Sequence, residues 1–163
     1  METTTNQGAA GLNGVPEEIL ANLPLTTYRA GETVLTAGSR SGRLLILKAG
    51  AVVILKDSIE IARLEEPGAV FGELSALLDQ PHTADVRTLQ DSQFYVADAS
   101  LPGKDPVVLL HIARILAQRI VSANANLLEL RKQIRAGQSP SVLRKMLEKI
   151  ETVLSIGGTS FET

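Results

Sequence analysis

Between residues 25 and 98 the apolar residues of this chain come in short runs, and that brevity constrains the fold more than any other feature. The runs are Leu25–Arg29, Thr33–Leu35, Leu44–Lys48, Ala51–Lys56, Ile59–Leu64, Ala84–Leu89 and Ser92–Ala97. They are rich in Val, Ile and Leu, and Gly, Ser, Asp or Pro separates one from the next. Many short strands with turn signals between them predict a mostly β fold, a jelly-roll barrel, with helices attached.

The helices fall on either side. Val15 to Asn22 predicts a short N-terminal helix, with Pro16 near its first position and Glu17 and Glu18 in the first turn, where the dipole favours them. After Leu101-Pro102-Gly103 a long helix is expected from Pro106 to Arg135. Leu116, Ile120, Ala123, Leu127, Leu130 and Ile134 recur at spacings of 4, 3, 4, 3 and 4, a heptad seam. The same pattern would serve a helix packed on its own barrel. Gly137 ends that helix, and Ser139-Pro140 starts another, whose stripe is Leu143, Met146, Leu147, Ile150, Val153 and Leu154. The expected organisation is a flexible N-terminus over 1–14, a barrel unit over 15–105, a long lid or dimer helix over 106–136, an additional helix over 139–156 and a tail over 157–163.

Composition narrows the function classes. At 163 residues the chain suits one domain with an appendage. Without cysteine it can form no disulfide, thiolate metal site or cysteine nucleophile. No uninterrupted apolar run reaches the roughly 20 residues of a bilayer span. The opening Met-Glu-Thr-Thr-Thr-Asn-Gln-Gly lacks the basic and apolar segments of a signal peptide. A soluble cytoplasmic protein is the expectation. Charge is uneven: residues 1–105 carry 8 basic and 14 acidic side chains, net −6, and residues 106–163 carry 8 and 4, net +4. The second half is basic enough for solvated helix faces or a weak docking surface, not for nucleic acid. The chain has three Phe, two Tyr and no Trp, which leaves no aromatic platform for stacking bases. Two histidines, no nucleophile elbow and no P-loop leave no case for an enzyme, and no metal site is expected.

One segment carries chemistry. A strand ends at Val70-Phe71, Gly72 leaves room for close backbone approach, and Glu73-Leu-Ser-Ala-Leu-Leu78 begins a short helix. The unpaired N–H groups at such a start form an anion site. Pro81-His82-Thr83-Ala84 follows.

The stretch FGELSALLDQPHTADV resembles the signature of the cyclic-nucleotide-binding domain family, found in catabolite activator proteins, kinase A regulatory subunits and cyclic-nucleotide-gated channels. The usual pattern is F-G-E-L, a short helix, then P-R-[ST]-A. Pro81 stands ten places after Phe71, as the pattern asks, and Thr83 and Ala84 match. The position of the Arg holds His82. The likeness extends to Gly31-Glu32-Thr33-Val34-Leu35, Gly38, Leu44 to Gly50, Ile61 to Leu64 and Pro67-Gly68, roughly residues 16 to 135.

The resemblance implies a jelly roll that binds cAMP or cGMP without catalysing a reaction and needs no obligatory cofactor. Gly72, Leu74 and Ser75 would offer N–H groups. Glu73 would accept from the ribose 2′-hydroxyl. Thr83 would donate to the phosphate or select guanine, beside Ala84. Val70 and Phe71 would line the apolar wall, and Asn124 of the long helix would reach the base edge. In the family the Arg pairs with the phosphate. Arg is always charged and presents a planar fork, whereas neutral His offers one N–H. A bound anion would favour protonated His82, so binding should strengthen as pH falls. The exchange costs about 1.5–3 kcal/mol, roughly 10- to 150-fold in affinity. Arg87, an odd number of residues along the strand, belongs on the opposite face.

Two readings follow. One is a cyclic-nucleotide sensor that signals through its C-terminal helices, as a homodimer through 106–136. The other is a degenerate domain, with His82 in place of the Arg, that serves dimerisation or an unknown protein partner. Family members that bind DNA carry a winged helix-turn-helix after the long helix, and the 28 residues after Arg135 have no room for one, so direct DNA binding is not expected. No membrane partner is expected either.

Overall fold

The structure, a computed structural model, describes residues 14–155. The expected flexible segment over 1–14 lies almost wholly outside the described residues, and the 157–163 tail does so entirely.

The chain begins with α1 (Glu17–Ala21) and then runs through β1 (Leu25–Tyr28), β2 (Thr33–Leu35), β3 (Arg43–Ala49), β4 (Val52–Lys56), β5 (Ile59–Leu64) and β6 (Val70–Phe71). Next come α2 (Glu73–Leu78), β7 (Asp85–Thr88), β8 (Ser92–Asp98), α3 (Leu101–Lys104), α4 (Pro106–Arg135) and α5 (Pro140–Ser155). The strands form two antiparallel four-stranded sheets, ordered β1-β8-β3-β6 and β2-β7-β4-β5. Together with the helices this is the jelly roll expected from the short runs.

Alternation along β3 explains how the barrel carries its helices. Successive side chains point to opposite faces of a strand. Leu45 and Leu47 enter the core between the sheets with Leu35, Val52, Ile54, Val86 and Phe94. Leu44 and Ile46 face the other way and meet Val15 and Leu20, with Val108 and Ile112 of α4. Burial on both faces is why β3 reads as an unbroken apolar run. Phe94 is fully buried at the centre, with Tyr28 and Phe71 edge-on to its ring at 5.6 and 6.2 Å, the arrangement the aromatic quadrupole favours.

A tight crossing closes the strand between β3 and β4. Gly50 has φ +116, and a Cβ there would stand 2.5 Å from the Cβ of Ser92. Ser92 is fully buried and donates its hydroxyl to the Gln90 carbonyl at 2.7 Å.

Asp105 caps α4 by accepting from the N–H groups of Val107 and Val108, with Pro106 at the first position. The start of α4 packs on the barrel. Gly137, at φ +71, follows its end, and α5 folds back along α4 to reach β5, where Ile150 is buried. The helices show three features that the sequence pattern left open. Leu101-Pro102-Gly103 forms the short α3, because Pro is tolerated in a first helical turn. The heptad seam is split: Ala123 and Leu130 are buried, while Ile120, Leu127 and Ile134 are exposed. The buried stripe is Val108, Ile112, Arg119, Ala123 and Leu130. Finally, by length and composition alone α4 is apolar enough to cross a bilayer. The polar residues His111, Arg114, Gln118 and Arg119 break the run in the sequence and hide this. One such helix, packed on the barrel along one face, is weak grounds for a membrane span.

Candidate functional site

An open pocket lies between β2, β4, β6, α2 and the start of β7. Its lining is Leu35, Ile54, Val70, Phe71, Gly72, Glu73, Leu74, Ser75, His82, Thr83, Ala84 and Val86. Nine of the ten residues singled out in the sequence therefore meet in one cavity. Asn124 does not: it is exposed on α4 and absent from the lining. Counting along a helix gives depth but not which face looks inward, and the inward face of α4 passes through Arg119 and Ala123.

The cassette starts on a backbone that only glycine adopts easily. Gly72 has φ +86, and a Cβ there would lie 2.6 Å from the Arg43 carbonyl and 3.5 Å from Cε1 of His82. This lets α2 turn directly off β6, which is paired to β3 through Phe71 opposite Leu45. Ser75 closes the far end by donating its hydroxyl to the Gln80 carbonyl at 2.6 Å.

Glu73 is buried at the first position of α2, and Arg119 of α4 donates to it through Nη1 at 2.7 Å. The two side chains are 9% and 4% exposed, so the pair is cut off from solvent. Such a pair needs both members, because removing either leaves a buried charge uncompensated. Nothing in the sequence reading pointed to Arg119. The available signal was a lone Arg at helical spacing between Ile112 and Ala123 on an otherwise apolar stripe.

The second buried polar side chain of the pocket lining is His82. His82 is 6% exposed, and its Nε2 lies 2.8 Å from the Ser41 hydroxyl and accepts from the Ser41 N–H at 3.3 Å. A nitrogen that accepts a backbone N–H offers a lone pair, the arrangement of an uncharged ring. Burial pushes the His82 pKa below its ordinary value, against the opposing charge of Glu73. The backbone ties the same residue to the loop before β3, through His82 N–H to the Ser39 carbonyl at 2.9 Å and Gly38 N–H to the His82 carbonyl at 2.8 Å. Arg87 points away from the pocket and is exposed, as alternation requires. No cluster of metal-ligating side chains occurs among the described residues.

Residues 25–101 match the family model of the cyclic nucleotide-binding domain. Over 123 residues it is 32% identical to glutaminase 2 of Bradyrhizobium diazoefficiens, covering 67% of this chain and 19% of that protein. The chain thus spans about a fifth of the length of that curated relative. Among solved structures it is similar to the catabolite activator protein of Thermus thermophilus, at TM-score 0.59 and 21% identity over 86% of this chain and 81% of that one. It is also similar to PKAR CBD2 bound to Sp-2Cl-cAMPS, at TM-score 0.51 and 21% identity over 74% and 76% of the two chains. These structural likenesses bear on the fold: a jelly roll followed by a long helix.

Proposed function

We propose that this chain is a non-enzymatic regulatory domain. A ribose-bearing ligand of the cAMP or cGMP kind enters the barrel pocket, and its occupancy is passed to the C-terminal helices. The observation that carries this reading is the buried ion pair between Glu73 and Arg119, which joins the cassette to α4 across 46 residues of sequence. A carboxylate has acceptor capacity on both oxygens, so Glu73 can hold Arg119 and still accept a ribose hydroxyl. Ligand that draws Glu73 toward itself pulls on the same contact that seats α4. The first-turn N–H groups of Leu74 and Ser75 and the hydroxyl of Thr83 supply the remaining polar contacts, and Val70, Phe71 and Ile54 supply apolar ones.

Calorimetric titration with cAMP and with cGMP, each to millimolar concentration, tests the reading. Saturable binding by the native chain that disappears in Glu73→Ala is expected. Equal binding by Glu73→Ala would contradict the role given to the carboxylate.

A second reading, an interaction module, is favoured by the outer face of α4. Leu109, Leu110, Ile120, Val121, Leu127 and Leu128 are all more than 40% exposed there, and apolar surface of this kind marks contact sites. A homodimer through 106–136 would cover it. Sedimentation should then give a dimer for the native chain and a monomer for an Ile120→Glu, Leu127→Glu double variant.

A further inference from the structure

We propose that the pocket selects an uncharged nucleoside, held by its ribose and base, over the corresponding cyclic nucleotide. This rests on the reading of the cavity as a ribose site and names the ligand class within it.

Charge separates the two ligand classes. A phosphate carried into a cavity of this kind loses hydration and must be repaid by a cation or by several directed donors. Among the lining residues the only formal charge is the carboxylate of Glu73, which has the same sign as a phosphate. Its compensation comes from Arg119, which does not line the pocket. Drawing Arg119 off to a phosphate would leave Glu73 buried and uncompensated. His82, where a cation would be most useful, is neutral, and its Nε2 lone pair is taken up by Ser41.

The other basic groups nearby do not replace it. Arg40 is exposed and paired with Asp79 at 2.8 Å. Arg43 is exposed and approaches the cassette through its backbone carbonyl, which lies against Gly72 and is itself an acceptor. α2 is only six residues long. The donors that remain, such as the Thr83 hydroxyl, serve the hydroxyls of a free ribose as well as they serve a phosphate oxygen. A nucleoside keeps the contact to Glu73 and omits the group that the cavity cannot neutralise. The donors of an unsubstituted 3′- or 5′-hydroxyl also suit a site whose one charge is a carboxylate.

The test is calorimetry on the whole chain at pH 7.5 with adenosine, guanosine, cAMP and cGMP as probes, alongside His82→Arg. The native chain should bind at least one nucleoside roughly tenfold or more tightly than its cyclic nucleotide, the ratio expected from a missing charge-assisted contact. His82→Arg should narrow or invert that order. The ratio in the native chain decides the matter even if the variant fails to fold. Cyclic nucleotide bound as tightly as nucleoside, or more tightly, by the native chain would overturn the proposal and leave the ribose site standing. Absence of saturation by all four probes at millimolar concentration would overturn both.

Discussion

Glu73 and His82, two buried polar side chains of one pocket, are satisfied differently. Glu73 is paired with Arg119, which comes from another element 46 residues away. His82 is contacted by Ser41 of the loop before β3, and burial disfavours its charged form. The first solution couples the cassette to α4. The second couples it only to the barrel's own turn before β3. The Glu73 contact reaches α4, whereas the His82 contacts stay within the barrel.

Breaking the Glu73–Arg119 pair should have the larger effect. Arg119→Met leaves the Glu73 carboxylate buried and alone and should cost about 3–5 kcal/mol of stability in urea denaturation. Adding Glu73→Leu to it should restore much of that loss, because a matched apolar pair removes the stranded charge. A single variant as stable as the native chain would show that the carboxylate finds other compensation. Gly72→Ala should cost about 1–3 kcal/mol for the left-handed backbone. The 2.6 Å approach of the added Cβ to the Arg43 carbonyl adds to that figure. Thermal melts that leave Gly72→Ala unchanged would mean that the turn from β6 into α2 can relax.

The His82–Ser41 contact should respond less. Ser41→Ala removes a hydrogen bond to an uncharged ring and should cost about 0.5–1.5 kcal/mol. A loss as large as that of Arg119→Met would contradict the contrast between the two side chains. The smallest effect is on pH dependence. Burial lowers the pKa of His82, and burial with the nearby charge of Arg114 lowers that of His111. The unfolded chain therefore takes up protons first as pH falls past about 6.5. The stability from these rings is complete above that pH and is lost as pH drops through the lower folded-state values. Melting temperature should fall between pH 7.5 and pH 5.5, and the fall should shrink in His82→Gln. An unchanged slope in that variant would assign the pH dependence to other groups.

What could be read from the sequence follows the range of the interactions. The strands were legible because short apolar runs and the turn residues between them are local. Leu25–Arg29 was expected where Leu25–Tyr28 forms, and Ser92–Ala97 where Ser92–Asp98 forms. The cassette was legible as well, because Val70 to Ser75 and His82 to Ala84 belong to one short stretch that folds over one pocket. Arg119 was not, because its meaning depends on a partner on another element, and nothing in the 4-3 spacing of α4 separates the barrel face from the outer face. The same ambiguity sent the base-reading role to Asn124, which looks outward. Ser41 was missed because a serine in a Gly-Ser loop carries no sign that a buried imidazole will lean on it.

The central claim is that the pocket and α4 communicate through Glu73 and Arg119. Amide hydrogen exchange of α4, with and without saturating adenosine or cAMP, tests it most directly. A change of about tenfold or more in protection between residues 108 and 123, absent in an Arg119→Met, Glu73→Leu double variant, is the predicted result. Saturable binding by the native chain with α4 protection unchanged would contradict it.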